Sequence, residues 1–296
     1  MILVCGDSVC WGQGLIEEHK FDGIFSRSKG VPFVRKAHSG AVIGVSSDSS
    51  PEVEDGEVPV PSPSLWQQIL TQADWSSLGL VLFNGGINDV SLTRILSPLT
   101  TPEHLTGLVD QFCYKAMQEL LLATASKLTL ADAQIAVLGY YPILSSQSAG
   151  SETQVQSLLE LHGVATSSVF SPDKFSMKDL TPGIVENCIT FWKRSNDSLE
   201  AAVNAVNSSL GKTTCKFIKA PFTEDNAMWA PNSLLWELNP LLMPEDEMQR
   251  TRGTSCEALY GDVADIPQWI VCAHASVGHP NVQGASKIAD TLLAEL

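Results

Sequence analysis

The chain has 296 residues, long for one domain but within reach of an α/β domain carrying insertions, and 44% of them are apolar, enough for a sizeable core. Its formal charge of -15, from 33 acidic and 18 basic residues, argues against nucleic acid or an anionic membrane surface as the main partner. No apolar run approaches the roughly 18 residues of a membrane span, so no integral membrane contact is expected.

In chain order, Ile2 to Cys5 is a short apolar run that predicts a buried strand, broken by Gly6-Asp7-Ser8 and by further glycines at Gly12 and Gly14. A strand ending in a glycine turn places the next side chain at the carboxyl edge of a sheet, where open α/β sheets bind ligands. Val31 to Val34 predicts a short second strand, leading into the small-residue loop Ala37-His38-Ser39-Gly40-Ala41. Residues 46–63, rich in Ser, Pro, Asp and Glu, read as an exposed loop. A helix follows, capped by Ser62 or Ser64, with Leu65, Trp66, Ile69 and Leu70 on its apolar stripe. Leu78 to Phe83 is a second strong strand, ending at Asn84-Gly-Gly-Ile-Asn88-Asp89. Thr101-Pro102 opens a long helix with Leu105, Leu108, Phe112, Met117 and Leu120 at helical spacing.

Ile135 to Pro142 is the next strand. From Ser145 to about Gly183 the pattern weakens around a short helix at Leu158, Leu159 and Leu161, and 184–210 is again helical. Cys215 to Phe222 predicts a further strand. Ala227 to Gln249 holds Met228, Trp229, Trp236 and several leucines among prolines, without helical period; it reads as irregular cover or as an apolar wall beside a site, with Trp229 and Trp236 as candidate substrate contacts. A last helix covers about Gln283 to Leu296. Strand–helix alternation with continuous apolar strands predicts a three-layer α/β/α fold around a parallel sheet of about five strands. We read one domain over 1–296, with insertions at roughly 145–183 and 224–270.

The seven cysteines contain no Cys-x-x-Cys pair, so neither a zinc site nor a redox motif is expected. Cys5, Cys113 and Cys188 read as small core residues; Cys10, Cys256 and Cys272 sit in loop-like stretches and could pair in an exported chain. Met1 runs directly into the first strand with no leader pattern, which predicts a cytoplasmic protein, although a secreted mature chain fits as well. No metal or cofactor is expected.

Three loops carry chemistry-bearing residues: Ser8, Asn88, and His279 in Ser276-Val-Gly-His-Pro-Asn281. Serine-mediated hydrolysis needs a hydroxyl, a base within reach, and donors aimed at the developing oxyanion. Ser8 and His279 supply the first two. The backbone N–H groups of Ser8 and Gly40 and the amide of Asn88 are candidate donors. Asp7 and Asp89 read as braces for their turns. His38 is a candidate substrate contact, though a surface loop histidine is the plainer reading. His19, His104 and His162 have no partner in sequence, and His274 reads as a loop residue. There is no Gly-x-Ser-x-Gly elbow.

On these residues the chain resembles the SGNH (GDSL-type) hydrolases. Gly6-Asp-Ser-Val9 resembles the first block, Ala37-His-Ser-Gly-Ala41 the second, Gly86-Ile-Asn-Asp89 the third and His279-Pro280 the fifth. The resemblance implies a flavodoxin-like sheet order, Ser8 as nucleophile, His279 as general base, and Ser8, Gly40 and Asn88 as the oxyanion hole. It also implies a small-molecule ester substrate; the Trp- and Leu-rich stretch from Ala227 suggests an apolar acyl or alcohol group, so lipid or short-acyl esters come before carbohydrate deacetylation or acyl transfer. One position departs. The acid of the family's Asp-x-x-His pattern is replaced by Ser276, leaving a backbone carbonyl near Ser276, the Ser276 hydroxyl, or a distant carboxylate such as Asp262 or Asp265 to orient His279. A Ser8–His279 dyad supported by a carbonyl is the favoured arrangement; a catalytically decayed binding protein on the same fold is the competing class.

Overall fold

The computed structural model describes residues 1–48, 55–164, 177–239, 245–261 and 266–296. Five strands form one sheet in the order β2-β1-β3-β4-β5, and every neighbouring pair is parallel. They are β1 (Ile2–Gly6), β2 (Phe33–Arg35), β3 (Leu80–Asn84), β4 (Gln134–Leu138) and β5 (Cys215–Ile218). The central strand β1 is buried along its whole length, which is why it reads as an unbroken apolar run. The edge strand β2 is only partly covered, and its sequence is correspondingly mixed.

Helices cover both faces, giving the three-layer α/β/α fold. On one face α2 (Phe21–Lys29) packs against α12 (Val282–Glu295). On the other, α3 (Leu65–Leu70), α6 (Pro102–Val109), α7 (Met117–Lys127) and α9 (Met177–Leu210) pack together over the strands. Short helices α1 (Ser8–Trp11), α4 (Ile87–Val90) and α5 (Leu92–Leu96) sit at the strand ends. Helix α8 (Glu152–Leu161) carries Leu158, Leu159 and Leu161, and α10 (Gln249–Tyr260) and α11 (Ile266–Ala273) come late in the chain.

Three details differ from the sequence reading. The helix opened by Thr101 widens into a π-helical stretch at Asp110–Ala116 before α7, which brings Cys113 against Gly86 in the Asn88 loop. Helix α9 starts at Met177, with Pro182 in its second turn, where few backbone hydrogen bonds are lost. Cys10 does not pair: it is buried and free in α1, while Cys256 and Cys272, in helices rather than loops, form a disulfide joining α10 to α11. Cys5, Cys113 and Cys188 are buried core thiols. Among the described residues, no helix is long and apolar enough to cross a membrane.

Candidate active site

The chain passes from β1 to β2 on one side and returns to β3 on the other, so the strand order reverses between β1 and β3. In such sheets the carboxyl ends at the reversal open a crevice for ligands. Gly6 at the end of β1 lies in register with Asn84 at the end of β3, and Ser8 and Asn88 follow directly.

Each turn is fixed by its own bonds. Gly6 has φ +149°, and a Cβ there would stand 2.6 Å from the Asn84 carbonyl, so the position requires glycine. Gln68 on α3 grips Gly6 on both backbone groups, accepting from its N–H at 2.7 Å and donating to its carbonyl at 3.0 Å. Asp7 caps α1, its carboxylate accepting from the Val9 N–H. Ser8 is thereby presented at the first position of α1, nearly buried. Gly40 has φ +78°, and a Cβ there would meet Val60 N at 2.5 Å. Asp89 accepts from the Ile43 N–H, and the Asn88 amide donates to the Ala41 carbonyl at 2.9 Å. The Asn88 and Gly40 loops are therefore tied together.

His279 meets Ser8 from the far end of the chain, with 2.7 Å between His279 Nε2 and Ser8 Oγ. Nδ1 lies 3.2 Å from the Ser276 carbonyl, which also receives the His279 backbone N–H. A carbonyl can only accept, so Nδ1 carries the proton and Nε2 is left as the acceptor for Ser8. Burial pushes the His279 pKa down to about 4, with the Arg252 cation adding to the fall and the bond to Ser276 opposing it. The ring is neutral at pH 7, the form a base requires. Asp7 and Asp89 are pushed up to about 6, again by burial first.

The histidine turn is pinned by the Trp-rich stretch, in a way the composition did not reveal. The Trp236 N–H donates to the His279 carbonyl at 2.8 Å, the Gly278 N–H donates to the Trp236 carbonyl, and Leu235 bridges Pro280 antiparallel. Trp236 thus works through its backbone, and neither it nor Trp229 lines the cavity at Ser8. The Trp229 ring instead covers Gly150. His38 is buried, not on the surface, with its ring tilted against Trp11, and it is absent from the lining at Ser8. Asp262 and Asp265, the carboxylates considered for His279, lie outside the described residues, as do Leu241, Leu242 and Met243.

The cavity itself is about 60 Å³, lined by Ser8, Asn88, Tyr140, Met228, His162 and His279 with Leu158, Ile143 and other apolar side chains. His162 was not legible in sequence. It stands one residue past α8, its carbonyl held by the Thr93 hydroxyl, and burial pushes its pKa down to about 4. Sequence reasoning also missed Tyr140, which lines the cavity, and Gln68 and the Arg252–Asp246 pair, which bond the turns behind it. A larger groove of about 650 Å³ beside α10 and α11, lined by Tyr260, Ile270 and His274, includes neither Ser8 nor His279. The chemistry-bearing groups belong to the smaller cavity. Among the described residues, no group of three or more His, Cys, Asp or Glu side chains could hold a metal ion.

No protein-family model matches the sequence, and no curated protein does. Among solved structures, the chain is similar to a carbohydrate esterase family 2 enzyme with a carbohydrate-binding domain from Corynascus thermopiles (Myceliophthora fergusii), at 15% identity and a TM-score of 0.38. The match covers 74% of this chain and 56% of that one, so the chain spans little more than half the length of that protein.

Proposed function

We propose that the chain is a serine esterase of the SGNH type that hydrolyses small carboxylic esters through an acyl-enzyme on Ser8. The observation that carries this reading is the Ser8 Oγ–His279 Nε2 contact of 2.7 Å, with Nδ1 directed to a carbonyl, at the point where the strand order reverses. His279 takes the Ser8 proton as Oγ attacks the ester carbonyl. The backbone N–H groups of Ser8 and Gly40 and the Asn88 amide receive the oxyanion; neither backbone N–H has an acceptor among the described residues. Collapse of the tetrahedral intermediate returns the proton to the leaving alcohol. Water, deprotonated by the same imidazole, then releases the acid.

The cavity beside Ser8 is small, about 60 Å³, which favours short-acyl esters over lipids and makes deacetylation of a larger alcohol a leading candidate. With Trp229 and Trp236 turned to other work, the apolar lining comes from Leu158, Ile143 and Met228.

The test is a series of p-nitrophenyl esters from acetate to octanoate, run on wild type and Ser8→Ala, together with labelling by a fluorophosphonate. The expected result is fastest turnover of acetate, a fall with chain length, and loss of both turnover and label in the variant. A folded wild-type protein that neither labels nor hydrolyses any of these esters overturns the esterase reading and favours a binding protein.

A further inference from the structure

Behind His279 lies a group of buried charges that the reaction above does not use. Arg252 on α10 is fully buried and makes a two-pronged bond to Asp246, Nη1 to Oδ1 at 2.9 Å and Nη2 to Oδ2 at 2.6 Å. Its Nε and Nη2 also donate to the Ala273 carbonyl, at 3.2 and 3.1 Å, and Nη2 lies 3.3 Å from the Ser276 hydroxyl. That hydroxyl donates to Asp246 at 2.7 Å. On the other side, Arg252 Nη1 reaches Glu57 at 3.4 Å.

Glu57 extends the group to the other two loops. It accepts from the Trp11 indole, from the Gln13 amide and, at 3.4 Å, from the Gly14 N–H, all immediately after Ser8. It lies on the stretch that brackets the Gly40 loop, where Gly56 accepts from the Ser39 N–H and Val60 donates to the Ser39 carbonyl. One guanidinium therefore joins the segments that carry Ser8, Gly40 and His279. A buried ion pair is poor value as a source of stability, since apolar residues of equal volume often do as well, so its placement calls for another explanation. The acid expected at position 276 is a serine, its hydroxyl bonds the Asp246 carboxylate, and among the described residues no carboxylate bonds the ring.

We propose that Arg252, clamped by Asp246 and Glu57, is a positioning residue that does the orienting work of the missing acid by fixing the Ala273–Ser276 turn whose carbonyl holds Nδ1 of His279. The acid is thus replaced by a carbonyl held in place from behind by a cation. This rests on the esterase reading only in taking Ser8 and His279 as the reacting pair. A cation behind the ring also disfavours the imidazolium, in the same direction as burial. The other titratable groups around the ring among the described residues are His162, Tyr140 and Tyr141 across the cavity; burial keeps His162 neutral at pH 7 and raises both tyrosines.

The test uses the full chain with Arg252→Met, Arg252→Lys and, because a lone Arg252→Met leaves Asp246 buried and unpaired, a charge-free variant combining Glu57→Gln, Asp246→Leu and Arg252→Met. Two readouts are taken: kcat and KM for p-nitrophenyl acetate against pH, and the titration of the His279 ring by NMR, assigned by its loss in His279→Gln. In Arg252→Met and the charge-free variant the expected result is a roughly 100-fold fall in kcat with KM little changed, and in Arg252→Met the His279 titration moves up by about one pH unit. Arg252→Lys restores the titration and part of kcat. A folded charge-free variant with wild-type kcat overturns the proposal, as does an Arg252→Lys variant no better than Arg252→Met. A wild-type protein that hydrolyses no ester and takes no fluorophosphonate label sinks the esterase reading instead, and leaves the positioning role to be decided by the His279 titration.

Discussion

The Tyr140 hydroxyl donates to Asp7 Oδ2 at 2.7 Å while accepting from the Ile87 N–H at 3.0 Å. One phenol thereby spans from the nucleophile turn to the oxyanion turn. Asp7 and Ile87 each sit one residue before a group in the proposed reaction, Ser8 and Asn88. Tyr140→Phe leaves the partly buried Ile87 N–H without its acceptor and takes from Asp7 one of its two donors, the Val9 N–H remaining, which should cost about 1–3 kcal/mol. Denaturant unfolding should show that loss, and ester turnover should fall with KM little changed. Unchanged stability and turnover would mean the bridge carries no weight.

Asn88→Ala removes one of the proposed oxyanion donors and should lower kcat by about 10²–10³. Because Asn88 also donates to the Ala41 carbonyl, part of the loss should come from a displaced Gly40 loop. Gly40→Ala should be worse for folding than for chemistry, since its Cβ would press on the Val60 backbone at a φ of +78°. Thermal melting of the two variants should separate the effects: Asn88→Ala melts close to wild type, Gly40→Ala well below it.

Activity should survive into acid solution. The base acts unprotonated, and its pKa is held near 4, so kcat/KM should stay level from pH 7 to about 5 and fall as the pH drops through 4. An acid limb centred near 6.5 would place His279 in a far wetter setting.

Stability carries two opposed dependences on pH. His162 and His279 sit at about 4 when folded, against 6.5 ordinarily, so the unfolded chain binds more protons between those values. Their contribution is full above pH 6.5 and is lost as the pH falls through 4. Asp7 and Asp89 sit at about 6 against 3.8, so theirs is full below 3.8 and is lost as the pH rises through 6. His162→Leu removes one term only. Relative to wild type, this variant should gain stability on passing from pH 7 to pH 4, as read by calorimetry at both values.

The Cys256–Cys272 disulfide closes a short loop, with a sequence separation of 16, and ties α10, which carries Arg252, to α11, which ends at Ala273. Its removal as Cys256→Ala/Cys272→Ala should cost about 3 kcal/mol. If the clamp also steadies the Arg252–Ala273 contact, kcat should fall as well; reduction of the wild type by dithiothreitol should reproduce both changes.

How much of this was legible in the sequence depended on distance along the chain. Strands β1, β3 and β4 are apolar because both their faces are covered, so the layered fold could be read from runs of Ile, Leu and Val. Ser8, Asn88 and His279 announced themselves by glycine or proline turns at strand and helix ends. Trp229 and Trp236 misled because indoles suggest a ligand wall, whereas here one covers a glycine and the other contributes backbone bonds. His162, Tyr140 and Arg252 carry no local signature. Tyr140 pairs with Asp7 across 133 residues, Arg252 reaches Glu57 across 195, and His162 shares a cavity with Ser8 and His279; pairings of that kind leave no periodicity to find.

The Ser8–His279 contact joins residues 271 positions apart. During synthesis the segment carrying Ser8 therefore precedes the one carrying His279 by 271 residues. On the esterase reading, the hydroxyl therefore remains an ordinary alcohol until the His279 turn docks beside α12 and brings the imidazole to it. Recovery of ester hydrolysis in a refolding experiment would then report the closing step of assembly and lag behind the return of helical signal.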